Sequence, residues 1–516
     1  MPYRRTFGKA LGLLLLAGRL GAQSAAGPTV SPTAAARFLD QASWGPTQAT
    51  VAAVELAGFS KYIDTQFAAP LSPLPDVPPN AMGREPMLPV QQQFFVNANA
   101  AGDQLRQRVA FALSQIWVVS AVKLHTADEV LPYLRLLQKD AFSNYYQIMR
   151  DVTLSPSMGH YLDMVNNDKP NPAAGTEADE NYARELLQLF TIGLNELNDD
   201  GTLQLSNGQP IATYDQTVIQ GFARAFTGWT YPPKPAATVS RIHNPPHFEG
   251  QMVAFDSNHD MAAKTVLDGA VSGGQGAQLD LTDALQNIYH HHNVAPFISR
   301  QLIQHLVTGN PSADYVKRVV TVFRSSNGDM KSVVKAILLD PEARAGDTAT
   351  PDAGEGHLRE PVLFINSLLR ALNATVTSDN TLSVQANNMG QDLYFSPSVF
   401  NYFSPGYRFT AAGNPVPVNS PEFQILSTST ALLRADFVNR IVYGKIPGVT
   451  LDWTPYVNLT AAQLLNTLNA RLMRGTMPPD MRNSILTAVN AQNSNLGKAQ
   501  AAVYLIATSS QYQVER

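Results

Sequence analysis

Apolar residues recur three and four positions apart along most of the chain, the spacing of one buried helix face. The pattern predicts helices over residues 33–41, 105–119, 130–137, 181–194 and 216–226. Four more follow in succession, at 282–291, 294–307, 313–323 and 329–339. Pro311 and Ser312 open one of these, and Asn327-Gly328-Asp329 separates two others, ordinary helix start and stop signals. The helical rhythm breaks once. Residues 202–205 and 209–212 flank Ser206-Asn207-Gly208, and Asn-Gly between apolar runs signals a hairpin. Pro210 confines that hairpin to a small edge ribbon. Stretches at 231–255, 341–359 and 408–421 read as long loops. The expected fold is mainly α: a large multi-helical domain with a small β-hairpin insertion and long loops. It spans residues 27–516, and the second loop is the candidate boundary between helical lobes 27–345 and 355–516.

Composition adds constraints. Of 516 residues only 15% are charged, against about 25% in an average globular protein. Cysteine is absent, which excludes disulfides, thiolate metal sites and a cysteine nucleophile. Arg4 and Arg5 precede Phe7, Lys9 and an apolar run over 10–18, a twin-arginine-like signal. The run is far short of the ~20 residues that span a bilayer. Small residues allow cleavage after Ala26, giving a signal peptide of residues 1–26, with an ordinary Sec signal as the alternative. Its loss takes the net charge from −4 to −8. With no basic clustering, a nucleic-acid partner is not expected. No later stretch is long and apolar enough to predict an integral membrane segment in the mature chain. The expected location is periplasmic or extracellular.

Several blocks are distinctive. They are ARFLDQASWGPT (Ala36–Thr47), LRQRVAFALSQIWVVS (Leu105–Ser120), ENYARELLQLFTIGL (Glu180–Leu194) and YDQTVIQGFARAFTGWTY (Tyr214–Tyr231). His259-Asp260, KTVLDG (Lys264–Gly269) and SPSVFNYFSPG (Ser396–Gly406) follow in order. Together they resemble the bacterial family catalogued as domain of unknown function 1800. The resemblance implies an exported protein without an established activity. It also implies a co-exported sulfatase-like partner, from the family catalogued as domain of unknown function 1501. The chain departs from the family pattern at Asp179, where asparagine is usual, and at Gln188, where a second glutamate is frequent.

Two clusters are candidates for chemistry. In the first, Glu180 and Arg184 share a helix face as a favourable i,i+4 pair, while Glu185 lies about 140° away. Thr176 is the candidate cap, and Asp179 and Glu180 suit a helix N-terminus. This cluster is read either as a scaffold ion pair or as a polar group for substrate or metal. In the second, His259 and Asp260 supply a base with an orienting carboxylate, and Lys264 an anion contact. The alternative is a capped turn with a salt bridge. The candidate catalytic residues are thus His259, Asp260, Glu180 and Glu185. The candidate substrate-binding residues are Arg184, Lys264 and Trp229, with Trp44, Tyr231 and Tyr407 as further stacking candidates.

Weaker signals remain. Residues Asp163 to Asp168 form a polar run suited to a loop or to sugar or calcium binding. Residues 196–203 imitate the start of a calcium loop, but Asn207 stands where a bidentate glutamate is required. His290-His291-His292 looks metal-binding, yet three consecutive residues cannot share one helix face. No serine elbow, HExxH, Walker loop or dinucleotide fingerprint occurs. No cofactor is specified. Two functions follow: an extracytoplasmic hydrolase or lyase using the His/Asp/Glu cluster, or a non-catalytic partner or scaffold for a sulfatase-like protein or cell-envelope component.

Overall fold

The computed structural model describes residues 30–235, 243–347, 356–410 and 416–515. The leader-like residues 1–26 lie outside the described residues, as does the centre of each expected long loop. Among the described residues the chain forms 23 α-helices and six two-stranded antiparallel sheets, a mainly α fold. The four successive helices are Ala277–His290, Val294–Leu306, Ala313–Ser325 and Met330–Leu339. Ser312 and Asp329 each cap a helix start through a side-chain oxygen.

The hairpin forms at Leu205–Ser206 and Gln209–Pro210, with Asn207 and Gly208 both at positive φ as the two-residue turn requires. It is the tip of a longer arm. Backbone bridges Asn195↔Ala212 and Leu197↔Leu203 hold the arm's base.

Two expectations need correction. The helix predicted over 181–194 is α-helical only at Asn181–Glu185 and then widens into a π-helix, Leu186–Thr191. The Thr191 hydroxyl donates to the Leu186 carbonyl at 2.5 Å, which favours the wider winding. Thr176 does not cap this helix. It bridges to Asn171, and the Asp179 carboxylate accepts the Asn181 N–H instead, at 2.8 Å.

The apolar interior forms two clusters. One gathers residues from Ala35 to Ala343, with Phe395. The other is built mainly by residues 362–512 but takes in Trp44, Phe94, Phe95 and Phe111. Helix Gln104–Ile116 therefore serves both, with Phe111 in one cluster and Leu113 in the other. Buried ion pairs add ties. Asp40 of the first helix meets Arg474 at 2.5 and 2.7 Å. Burial alone would raise the Asp40 carboxyl, but Arg474 and Arg359 hold it below its ordinary value. The last strand, Val514–Glu515, pairs with His357–Leu358. Among the described residues no helix is long and apolar enough to cross a membrane.

Candidate functional site

The sequence motifs converge on helix Gln216–Ala225. Gly221 lets strand Lys264–Val266 lie directly against it: a Cβ there would stand 1.7 Å from the Thr265 carbonyl oxygen. At the helix end Gly228, at φ +81, packs against the His259 backbone. This close approach explains why FTGWT and the His-Asp/Lys-Thr segment belong together.

Here His259, Asp260 and Lys264 do come together, but in a closed arrangement. The side chains of His259, Lys264 and Asp280 are fully buried. His259 Nε2 meets Asp280 Oδ2 at 2.9 Å, and Nδ1 meets the Thr227 carbonyl at 2.9 Å. Lys264 donates to Asp280 and to the carbonyls of Asp260 and Ala262. Asp260 accepts from Arg224 Nε at 2.5 Å and from the Ala262 N–H at 2.8 Å. Burial acts to raise its carboxyl, but these bonds to Arg224 and Ala262 bring it below its ordinary value. Asp280 completes the group, and sequence spacing alone does not reveal it.

Glu180 lies at the other end of the same helix. Gln216 donates to both its carboxylate oxygens, at 2.9 and 2.8 Å, and Arg184 pairs with it at 2.7 Å. Gln216 and Arg224 are eight residues apart, about 12 Å of helix. The structure therefore does not bring Glu180 to His259. Glu185 points elsewhere again. It is half-buried, and its Oε2 has no hydrogen-bond partner among the described residues. Burial raises its carboxyl above the ordinary value, with Arg184 opposing. Its charge in turn raises Tyr161 and Tyr214, after burial, to about 12.

Trp229 is 2% exposed within the first apolar cluster. Trp44 is equally enclosed, its indole donating to Gln107 at 3.2 Å. The polar run before Trp229 is a staple: the Asn166 N–H donates to the Trp229 carbonyl, and the Asn167 side chain bonds both backbone groups of Asp179. In the calcium-like stretch, Asp200 caps Thr202, and Asp199 pairs with Arg324.

An open site lies elsewhere. A cleft of about 630 Å³ runs beside helix Val294–Leu306, within the range of about 300–1,000 Å³ usual for ligand sites. Phe297, Arg300, Gln301 and Gln304 face it, at the i, i+3, i+4, i+7 spacing of one helix stripe. The π-helix supplies Gln188 and Leu189, and Gly193 follows at φ +75. A Cβ on Gly193 would press to 2.7 Å from the Phe297 ring. The hairpin arm gives one wall through Leu197 and Leu203. A second wall is the ribbon Arg408–Phe409 with Val418–Asn419, preceded by Phe400 and Ser404. Asn419 latches that wall by donating to the Gly309 carbonyl at 2.9 Å.

The chemistry of this lining is distinctive. Among the described residues no carboxylate, lysine or histidine borders the cleft, whereas two arginines and several amides do. Burial, and then the like charge of Arg408, lower Arg300 below the usual arginine value. Gln301 is 6% exposed, and its amide nitrogen has no partner among the described residues. Gln115 is held by Glu360 at 3.0 Å and Asn401 at 2.9 Å. Burial pushes Glu360 up to about 7. Leu194, Leu203 and Phe400 form an exposed apolar rim.

Arg300, Gln301, Gln304 and Arg408 were missed in the sequence. Polar residues on the apolar stripe of 294–307 were the available signal, together with the departure at Gln188. A family model described as a protein of unknown function (DUF1800) matches residues 37–514. No curated protein and no solved structure matches the chain.

Proposed function

The chain belongs to the DUF1800 family, and from that premise we propose that it is an exported binding protein whose cleft takes an acidic, polyhydroxylated ligand such as an acidic saccharide. The observation that carries this reading is the pair Arg300 and Arg408 in an amide-rich cleft bordered, among the described residues, by no carboxylate. Two neighbouring guanidiniums repel until an anion lies between them, and arginine matches carboxylate and sulfate in a fork geometry. Amide side chains suit hydroxyl groups, and Gln188, Gln304 and Asn310 line the cleft beside Gln301. Phe297, Phe400 and the leucines suit the apolar face of a sugar ring. Export rests on the twin-arginine pattern at Arg4-Arg5.

Calorimetric titration with a sulfated, a uronic-acid and a neutral disaccharide tests the reading. The acidic sugars should bind, the neutral one at least about tenfold more weakly, and added salt should weaken only the former. Equal affinity for all three would refute it. A sulfated ligand would also link the cleft to the sulfatase-like partner implied by the resemblance. Co-purification from cells with and without that neighbour tests the pairing separately.

A second reading, catalysis, draws support from Glu185. Its unpartnered oxygen, raised carboxyl and two nearby tyrosines suit a general acid, one turn before Gln188 and Leu189. Cleavage of an acidic oligosaccharide by the wild type, lost in Glu185→Gln while binding persists, would establish it.

A further inference from the structure

The triple histidine bears on the arm that walls the cleft. Helix Ala277–His290 stops at His290, and His291 turns to extended backbone at φ −63, ψ 133. In the turn that follows, the two neighbouring rings lie side by side. The His291 and His292 rings stack at 4.6 Å with an interplanar angle of 24°. Both reach Glu196 on the arm: His292 Nε2 lies 2.8 Å from Oε2, and His291 Nε2 lies 3.7 Å from Oε1. One donor atom from each of the three residues lies within 4.8 Å of the others. The Glu196 side chain is 16% exposed, and its buried Oε2, though 2.8 Å from His292 Nε2, is not aligned with it as a hydrogen bond.

We propose that Glu196, His291 and His292 bind a divalent transition-metal ion, with water completing the shell, and that the ion clasps the hairpin arm to the helix junction. Two imidazoles and one carboxylate are a zinc-type donor set, with bonds of about 2.0–2.2 Å. Small side-chain rotations draw the three atoms onto one ion. One adjustment is required. The Asn293 N–H contacts His291 Nδ1 at 3.2 Å, and this contact loosens as Nδ1 takes the proton when Nε2 ligates.

The clasp has a structural purpose. The Glu196 backbone is bonded to Ile211 and Gln204, so fixing its side chain fixes both strands of the arm. Asn293, two residues past His291, already grips the arm from below, donating to the Asn195 carbonyl at 2.8 Å and accepting from Leu197 N at 2.9 Å. Asn195 and Leu197 both line the cleft. The ion would add a stronger restraint to a wall otherwise held by hydrogen bonds and the Arg324–Asp199 pair.

The test uses the full mature chain, stripped with chelator and titrated calorimetrically with Zn²⁺ alone. One ion should bind per chain. Glu196→Gln and His292→Ala should each weaken binding at least about tenfold. His290→Ala, one residue before the pair, should leave it unchanged. Hydrogen exchange of residues 195–212 should slow on Zn²⁺ addition in the wild type and not in the two ligand variants. The proposal is overturned by absent saturable binding, by binding retained in both ligand variants, by an equal loss in His290→Ala, or by exchange indifferent to Zn²⁺. Because no saccharide is involved, failure here is distinct from failure of the cleft reading.

Discussion

The group around Asp280 and the cleft around Arg300 are both polar, yet they are built on opposite terms. In the first, Asp280 faces His259 and Lys264, and the side chains of all three are fully buried. In the second, Arg300 and Arg408 reach only backbone carbonyls, those of Gly201 at 3.4 Å and Pro417 at 2.8 Å, and no carboxylate among the described residues borders the cleft. Charges committed to one another in the interior hold a fold, because removing one strands the rest. Cations beside an open cleft are hydrated and lack a paired opposite charge, so a bound anion supplies one. Motif membership does not separate the two groups, but the pairing of opposite charges does, even though Asp280 Oδ1 has no hydrogen-bond partner among the described residues.

The largest expected effect comes from breaking the closed group. Asp280→Ala leaves His259 and Lys264 buried without their acceptor and should cost about 3–5 kcal/mol in urea unfolding. Folded protein that remains should still bind the acidic disaccharide. Next comes Gly221→Ala, which drives a methyl into the Thr265 carbonyl. Overpacking of this kind should lower stability by about 1–3 kcal/mol. The cleft predicts the reverse profile: Arg300→Gln and Arg408→Gln should each lose about tenfold or more in acidic-sugar affinity, with stability changed by less than about 0.5 kcal/mol for exposed Arg408.

A second closed group gives a pH signature. His357 sits 3.1 Å from Glu422 and 3.7 Å from Glu515. Burial opposes its charge, but the two carboxylates prevail and raise it from 6.5 to about 10. The folded chain thus holds this proton more tightly than the unfolded chain. The contribution is complete below pH 6.5 and is lost as pH rises through about 10. The gap in thermal midpoint between wild type and His357→Gln should be widest below pH 6.5 and close toward pH 10. The smallest effect belongs to the Glu180–Arg184 helix pair. Glu180→Gln should cost only about 0.3–0.5 kcal/mol by thermal unfolding.

Much of this architecture is readable from residue spacing, because helix faces buried against a core repeat at 3.6 residues. The series 282–339 and the Asn207-Gly208 turn appear close to where the pattern puts them. The π-helix does not, since Leu186–Thr191 keeps an apolar pattern that either winding satisfies. The site was harder still. His259 and Lys264 were visible as a pair, but Asp280, which commits them, comes from a helix sixteen residues beyond Lys264. Arg408 and Arg300 are over a hundred residues apart, and no local rule joins them. Consecutive histidines argue against a shared site only where a helix continues through them, and this helix ends at His290.

The central claim is that the cleft, not the His259 group, engages ligand. The most direct measurement is calorimetric titration of a sulfated disaccharide into the wild type, the Arg300→Gln/Arg408→Gln double variant and a Lys264→Met variant that retains its fold. Binding lost in the double variant and kept in Lys264→Met is the predicted result. Binding lost in Lys264→Met and kept in the arginine double variant would contradict it.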